Sequence, residues 1–130
     1  MILVDTSVWI AVFRRRKPFD LEAVAAFEEV VTCLPVIQEV LQGFREEAAF
    51  RAAEEAMFSL PVVETPLSEA VFRDAVALYR TGRSVGTTVR SSVDCLIAAC
   101  ALRHDLEVLH ADRDFEAIAS YSGLRQRKVG

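Results

Sequence analysis

The stretch Ile2-Leu3-Val4-Asp5-Thr6-Ser7-Val8-Trp9-Ile10 begins with three apolar residues and changes abruptly at an acid. Residues 2–4 predict a short buried strand, because an uninterrupted apolar run is typical of a sheet covered on both faces. The apolar residues from Val8 onward predict a helix, for which Thr6 or Ser7 provides the N-cap. A strand that leads directly into a helix, with a carboxylate at the junction, indicates an α/β fold.

The alternation of apolar strands with helices continues along the chain. Ser91 or Ser92 opens the helix with the most regular apolar period. Ser68 caps another helix that runs to about Thr81, where Gly82 can close it in the left-handed conformation. Helices are predicted over residues 8–13, 21–29, 35–44, 46–60, 69–81, 92–101 and 114–119. Strands are predicted over residues 2–4, 30–34, 61–64 and 107–110, with a candidate edge strand from residue 124.

Strands that alternate with helices predict a three-layer α/β fold, in which a parallel sheet of four or five strands carries helices on both faces. Ligands of such sheets bind beyond the carboxyl ends of the strands, near the point where the strand order reverses. No repeat, low-complexity segment or linker interrupts the 130 residues, so we expect a single domain over residues 1–130.

The composition predicts a soluble cytoplasmic protein. Apolar residues make up 52% of the chain, yet no apolar run approaches the roughly 20 residues that span a bilayer. Cys33, Cys95 and Cys100 lack the Cys-x-x-Cys spacing of zinc and redox sites, and we expect them to be small core residues. The net charge of −4 is unusual for a protein that holds nucleic acid by bulk attraction. Local basic patches and a metal ion would then have to attract such a partner.

Four acids occupy positions that this fold brings to one edge of the sheet. Asp5 directly follows the first strand, and Asp112 follows the fourth strand. Asp94 lies in the first turn of the most regular helix, and Glu39 lies in the first turns of the helix after the second strand. We therefore expect the four carboxylates near one rim of the sheet.

Each acid also has a structural explanation when it is considered alone. Asp94 completes a Ser-x-x-Asp capping pattern, and the helix dipole favours an acid in the first turn. Glu39 lies at the margin of an apolar stripe and suits a solvated helix face. Asp112 and Asp114 are common turn residues. Asp5 is harder to explain in this way, since a carboxylate that ends a buried strand is unfavourable unless something binds it.

A cluster of these acids favours a bound cation. Two carboxylates about 5 Å apart repel by roughly 3 kcal/mol at an effective dielectric of about 20, which exceeds what a helix cap returns. Oxygen ligands suit Mg²⁺ or Mn²⁺, and the isolated His104 and His110 are interpreted as structural or surface residues rather than zinc ligands. A divalent ion held by acids suits phosphodiester hydrolysis, because it lowers the pKa of water and stabilises phosphoryl charge.

The acids lie in four blocks of sequence, which follow one another in order. The blocks are ILVDTSVWI (residues 2–10), PVIQEVLQG (35–43), SVDCLIAA (92–99) and LHADRDF (109–115). Together they resemble the blocks of PIN domains of the VapC toxin type, over residues 2 to about 119. The resemblance implies a PIN-like fold and an endoribonuclease that uses Mg²⁺ or Mn²⁺. It also implies a homodimer and a VapB-like antitoxin whose tail occupies the cleft.

The resemblance also implies roles for individual residues. The positions that correspond to the acidic metal-binding and catalytic residues of the family are Asp5, Glu39, Asp94 and Asp112, with Asp114 used in some members. Ser7 matches a hydroxyl position near the metal, with Thr6 beside it. Such a hydroxyl can hold a carboxylate or a bound water.

Three basic segments are candidate RNA contacts, although such runs are more often solvated faces. They are the run that contains Arg14 and Arg15, the loop from Arg83 to Arg90, and the basic tail from residue 125. The loop is the favoured patch, because it leads into the helix that carries Asp94. A further set of apolar residues is expected in the core, with a dimer or antitoxin surface as the alternative. This set is Phe44, Phe50, Met57 and Phe58.

Two other functions are compatible with parts of the pattern. An aspartyl phosphatase would use Asp5 as its nucleophile. Its signature has a second acid two residues later, where this chain has Ser7. A PIN fold without catalysis would bind RNA or protein only, and the presence of acids at all four places argues against it.

Overall fold

The computed structural model describes residues 1–130 and contains a five-stranded sheet in which every pair of neighbouring strands is parallel. The strands are β1 (Ile2–Val4), β2 (Val30–Cys33), β3 (Val62–Val63), β4 (Glu107–His110) and β5 (Arg125–Lys128). Their order across the sheet is β3-β2-β1-β4-β5. The candidate edge strand in the basic tail is thus confirmed, and it pairs with β4.

Six α-helices connect and flank the strands. They are α1 (Thr6–Phe13), α2 (Leu34–Leu41), α3 (Glu47–Phe58), α4 (Glu69–Ser84), α5 (Ser92–Arg103) and α6 (Arg113–Ala119). Ser68 caps α4 and Ser91 caps α5, each by accepting a hydrogen bond from a backbone N–H of the first turn. None of these helices is both long enough and apolar enough to cross a membrane.

The central strands are covered on both faces of the sheet. Every residue of β1 and β2 is buried, and so are three of the four residues of β4. Because successive side chains of a strand point to opposite faces, this burial requires helices on both sides. The predicted three-layer α/β architecture is confirmed. The strand order reverses at β1, which leads to β2 on one side and pairs with β4 on the other.

The segment of residues 21–29 is not the helix that we predicted. It forms two single turns of 3₁₀ helix, Leu21–Ala23 and Phe27–Glu29. Within the segment only Ala25 is buried. A helix gains most of its stability by packing an apolar stripe, and this segment offers no such stripe to the sheet.

The predicted core residues divide between the interior and the surface. Cys33, Cys95 and Cys100 are buried free thiols, as expected. Met57 is fully buried, whereas Phe58, the next residue, is 55% exposed. Consecutive helical residues point about 100° apart, so the face of α3 that packs on the core cannot include both side chains.

Gly82 does not close α4 in the left-handed conformation. The helix continues to Ser84, and it is Gly86 that adopts a positive φ of 79°. Gly82 is instead buried where another part of the chain approaches. A Cβ atom at this position would lie 2.8 Å from the hydroxyl oxygen of Tyr121 and 3.0 Å from the carbonyl oxygen of Thr87.

We therefore expect Gly82→Ala to destabilise the protein, although alanine is normally the better helix residue. The free energy of unfolding should fall by about 1 to 3 kcal/mol, because the Thr87 backbone cannot yield to an added methyl group. Urea denaturation checks this, with Gly43→Ala as the control, since a Cβ there has no neighbour nearer than 3.5 Å. A gain in stability from Gly82→Ala would contradict the close packing.

Candidate active site

The candidate site lies at the carboxyl ends of β1 and β4. The two strands are neighbours, with Val4 opposite Leu109, and the backbone N–H of Asp5 donates to the carbonyl oxygen of Leu109 at 2.9 Å. Asp112 follows two residues after the end of β4 and caps α6. The chain therefore brings the ends of both strands to the rim that the parallel topology predicted.

Three aspartates converge at this rim. One carboxylate oxygen from each of Asp94, Asp112 and Asp114 lies within 4.8 Å of the other two. Asp94 and Asp114 are buried, and Asp112 is half-buried. We call these three residues the acidic cluster. Its spacing is suitable for holding one cation between carboxylate oxygens.

Asp5 lies outside the acidic cluster at that spacing, but its charge acts on the cluster. Burial raises the pKa of Asp94 to about 9, and the negative charges of Asp5 and Asp112 contribute to the rise. Burial also raises the pKa of Asp5, with a smaller contribution from Glu39 and an opposing effect of hydrogen bonds from Ser7. Without a cation, the site thus holds more negative charge than its surroundings stabilise.

Two buried carboxylate oxygens at this rim have no hydrogen-bond partner. They are Oδ1 of Asp5 and Oδ2 of Asp94. Buried polar atoms are rarely left without a partner, and an unpaired carboxylate oxygen is particularly unfavourable. A hard divalent cation such as Mg²⁺ or Mn²⁺ would satisfy both atoms. The residues present therefore fit a divalent metal ion.

Ser7 connects Asp5 to the loop after β4. Its backbone N–H and its hydroxyl both donate to Oδ2 of Asp5, at 3.0 and 2.5 Å, and the hydroxyl oxygen accepts from the N–H of Ala111 at 3.0 Å. The N-cap of α1 is consequently Asp5, and the prediction of Thr6 or Ser7 as the cap was wrong. Both hydroxyls donate to carboxylates instead. Ser7 fixes which oxygen of Asp5 stays free.

We expect Ser7→Ala to weaken the site without unfolding the protein. Loss of the hydroxyl frees Asp5 to rotate, so affinity for Mn²⁺ should fall about 10- to 100-fold. Calorimetric titration with MnCl₂ measures this effect. Ser59→Ala is the control, since that exposed hydroxyl only donates to the carbonyl of Ala56. Unchanged Mn²⁺ affinity would mean that Ser7 does not orient Asp5.

Glu39 reaches the site through Thr6. The Thr6 hydroxyl donates to Oε1 of Glu39 at 2.8 Å, and the Glu39 side chain is half-buried. This contact connects α1 to α2 and places a further negative charge near Asp5. Glu39 thus lies outside the acidic cluster. The alternative prediction, that its side chain is freely solvated, is wrong as well.

Asp114 is bound mainly by the loop before α5. Its Oδ2 accepts the backbone N–H groups of Arg90 and Ser91, each at 3.2 Å, and its Oδ1 accepts Nε of Arg90 at 3.4 Å. The backbone N–H of Asp114 in turn donates to Asp112 at 2.9 Å. Asp114 thus holds the entry to α5 beside the cluster that it helps to form.

His110 has a positioning role that sequence reasoning missed. It is fully buried, and its Nδ1 accepts the backbone N–H of Asp112 at 3.1 Å. A backbone N–H can only donate, so Nδ1 is unprotonated, and Nε2 donates to Oε1 of Gln126 at 2.6 Å. The only sequence signal was a polar residue at the end of an apolar strand, two positions before Asp112.

The four arginines that the sequence predicts as RNA contacts differ in their surroundings. Arg83 is exposed at the end of α4, whereas Arg90 forms ion pairs with Asp112 and Asp114. Arg14 donates to the carbonyl of Lys17, and Arg15 pairs with Glu46, both on the exposed surface. A fifth arginine, the exposed Arg113, lies between two members of the acidic cluster in sequence and was not predicted. Its position in the LHADRDF block could have indicated it.

Comparison with known proteins identifies the family. The sequence profile of the PIN domain matches residues 2–121. A VapC ribonuclease of Mycobacterium bovis is 35% identical over an alignment of 136 positions that covers 96% of each chain, and so is the ribonuclease VapC11 of Mycobacterium tuberculosis. This chain belongs to the PIN-domain family. The four sequence blocks that resemble PIN domains of the VapC type all lie within the matched range.

Solved structures of PIN-domain proteins share the fold over nearly the whole chain. A member of the VapBC family of toxin–antitoxin systems, VapBC-5 from Mycobacterium tuberculosis, superposes with a TM-score of 0.73 at 23% identity over 98% of each chain. VapBC2 from Rickettsia felis, bound to a promoter DNA fragment, gives a TM-score of 0.78 at 13% identity over 100% of each chain. At these identities the likeness establishes the fold of this PIN domain.

Proposed function

We propose that this protein is a metal-dependent endoribonuclease that acts as the toxin of a type II toxin–antitoxin pair. The observation that carries the proposal is the pair of buried, unpartnered oxygens of Asp5 and Asp94 beside the acidic cluster. Membership of the PIN-domain family and the names of the VapC relatives support the choice of RNA as substrate.

The proposed metal ligands are Asp5 and the three members of the acidic cluster, Asp94, Asp112 and Asp114. Glu39 holds Thr6 and adds negative charge behind Asp5. When Mg²⁺ or Mn²⁺ is bound, it supplies a water of lowered pKa and neutralises charge on the phosphoryl oxygens. We propose that Asp5, Glu39, Asp94 and Asp112 form the catalytic set.

The chain's own residues prepare the site before any substrate arrives. Ser7 fixes the orientation of Asp5, and His110 fixes the backbone of Asp112. Asp94 keeps its proton at neutral pH, because burial and neighbouring acids raise its pKa to about 9. To hold a cation, the Asp94 carboxyl would have to lose this proton to solvent and become ionised.

Arginines around the site are proposed to bind the phosphates of the RNA. Arg83 and Arg113 are exposed and make no ion pair, so their guanidinium groups are available to an anionic substrate. Arg90, by contrast, forms ion pairs with Asp112 and Asp114 of the acidic cluster. Arg14 and Arg15 belong to a different exposed segment, and Arg15 is already paired with Glu46.

We further propose a VapB-like antitoxin as partner, a homodimeric state and a cytoplasmic location. The relatives named VapC, together with structures of the same fold from VapBC toxin–antitoxin systems, support the antitoxin. The aromatic side chains of Phe58 and Phe72 are exposed. Their burial against a partner chain would be favourable.

Cleavage of RNA by the purified, antitoxin-free protein tests the proposal. A mixed pool of cellular RNA is incubated with Mg²⁺, with Mn²⁺ or with EDTA, beside the Asp94→Asn variant. We expect cutting that requires a divalent ion and that the variant loses. Metal-independent binding of RNA without cutting would instead support the binding module. A phosphoryl group trapped on Asp5 would support the phosphatase, although that carboxylate is only 2% exposed.

A further inference from the structure

The guanidinium group of Arg90 already provides a positive charge at the acidic cluster. Its Nη2 lies 3.5 Å from Oδ1 of Asp112, and its Nε lies 3.4 Å from Oδ1 of Asp114. Asp112 and Asp114 are two of the three residues whose oxygens converge within 4.8 Å. The arginine therefore neutralises part of the charge that a divalent cation would neutralise.

The side chain of Arg90 is held more loosely than its backbone. Both ion-pair distances are longer than those of a strong charge-assisted hydrogen bond, and 57% of the side chain is exposed. The backbone N–H of Arg90 and that of Ser91 both bind the buried carboxylate of Asp114. The guanidinium group can leave the cluster while this backbone anchor keeps the loop in place.

We infer that Arg90 is an internal counterion that competes with the divalent cation for Asp112 and Asp114. The inference rests on the proposed function, because it assumes that the acidic cluster binds a metal ion. Two cations that share the same carboxylates repel each other and divide the same acceptor oxygens. Binding of the ion therefore weakens both ion pairs of Arg90.

Release of Arg90 would connect metal binding to substrate binding. The freed guanidinium is planar, always charged and suited to bidentate contact with a phosphate. It stays next to the metal ligands, because its backbone is fixed to Asp114. The same residue thus stabilises the metal-free site and binds the RNA backbone once the ion is present.

Calorimetric titration with MnCl₂ tests this competition in the full-length protein. The variants are Arg90→Gln and Arg90→Met, which remove the charge, and Arg90→Lys, which keeps it. Arg80→Gln is the matched control, since Arg80 is an exposed arginine without an ion pair. We expect Arg90→Gln and Arg90→Met to bind Mn²⁺ about tenfold more tightly, the shift that one charge at this range typically produces. Arg90→Lys should stay nearer the wild type, and Arg80→Gln should match it.

The two functions of Arg90 predict opposite changes in one variant. With Arg90→Gln, the KM for RNA should rise several-fold even though Mn²⁺ binds more tightly. Weaker or unchanged Mn²⁺ binding by both neutral variants, with normal binding by the wild type, would overturn the inference and leave the proposed function intact. No Mn²⁺ binding by the folded wild type would overturn the metal-dependent function and this inference with it.

Discussion

Asp94→Asn is expected to reduce RNA cleavage about a thousandfold while it makes the metal-free protein more stable. The loss of activity follows because an amide cannot replace the charge of a buried carboxylate that belongs to the acidic cluster. The gain in stability follows from the same burial. A site built for a cation destabilises the folded protein when no cation is bound. The neutral, isosteric asparagine removes this destabilisation.

The sign of the stability change follows from the pKa of Asp94. The pKa rises from 3.8 to about 9 in the folded protein, through burial first and the charges of Asp5 and Asp112 second. Such a group contributes its full stability below about pH 4, and this contribution is lost as the pH rises toward 9. Asparagine does not titrate, so we expect the variant to be more stable by roughly 2 kcal/mol near neutral pH.

Urea denaturation in EDTA, at several pH values, measures this difference. The stability of the wild type should fall between about pH 5 and pH 8, and the curve of Asp94→Asn should be flatter. Asp20→Asn is the control, because Asp20 is exposed and its side chain makes no capping hydrogen bond. Equal stability of wild type and Asp94→Asn at every pH would show that the Asp94 carboxylate is not destabilised by its surroundings.

Binding of Mn²⁺ is expected to tighten about tenfold for each unit of pH between roughly 6 and 8. In this range Asp94 holds a proton in the metal-free protein, because its pKa lies at about 9. The cation binds the ionised form and must displace that proton. From pH 6 to 8 the dissociation constant should therefore fall about a hundredfold, and the trend should level off near the pKa.

The released proton can be counted directly. Titration calorimetry in two buffers of different ionisation enthalpy should give close to one proton released per ion near neutral pH. An ion at about a hundred times its dissociation constant should add roughly 2.7 kcal/mol to the free energy of unfolding, and EDTA should remove this gain. Potassium at equal ionic strength serves as the control. Affinity that does not change with pH would contradict a protonated Asp94 in the metal-free site.

Local sequence determined most of the architecture and the edge of the sheet at which the acids lie. Runs of apolar and β-branched residues are sufficient to predict β1 and β2 as buried strands, and the bounds of β4 are those predicted. The carboxyl ends of parallel strands share one edge of a sheet. For that reason the sequence alone predicts that the acids after β1 and β4 lie close together.

Predictions failed where a competing tertiary contact decided the outcome. Thr6 was a good candidate for the N-cap of α1, but its hydroxyl donates to Glu39 on another helix. Glycine often ends a helix, but α4 continues past Gly82, and the absence of a side chain there lets Tyr121 approach the helix closely. Neither partner is close in sequence, so no local pattern contained the information.

The sequence by itself determined an α/β sheet with acids at one rim, because apolar periodicity is a local consequence of residue type and the carboxyl ends of parallel strands share one edge. Tertiary structure alone decided which oxygens remain unpaired, that His110 holds the backbone of Asp112, and that Arg90 lies on the acidic cluster rather than in solvent. These features depend on distances between segments far apart in the chain. Such distances exist only once the core has packed and brought the segments together.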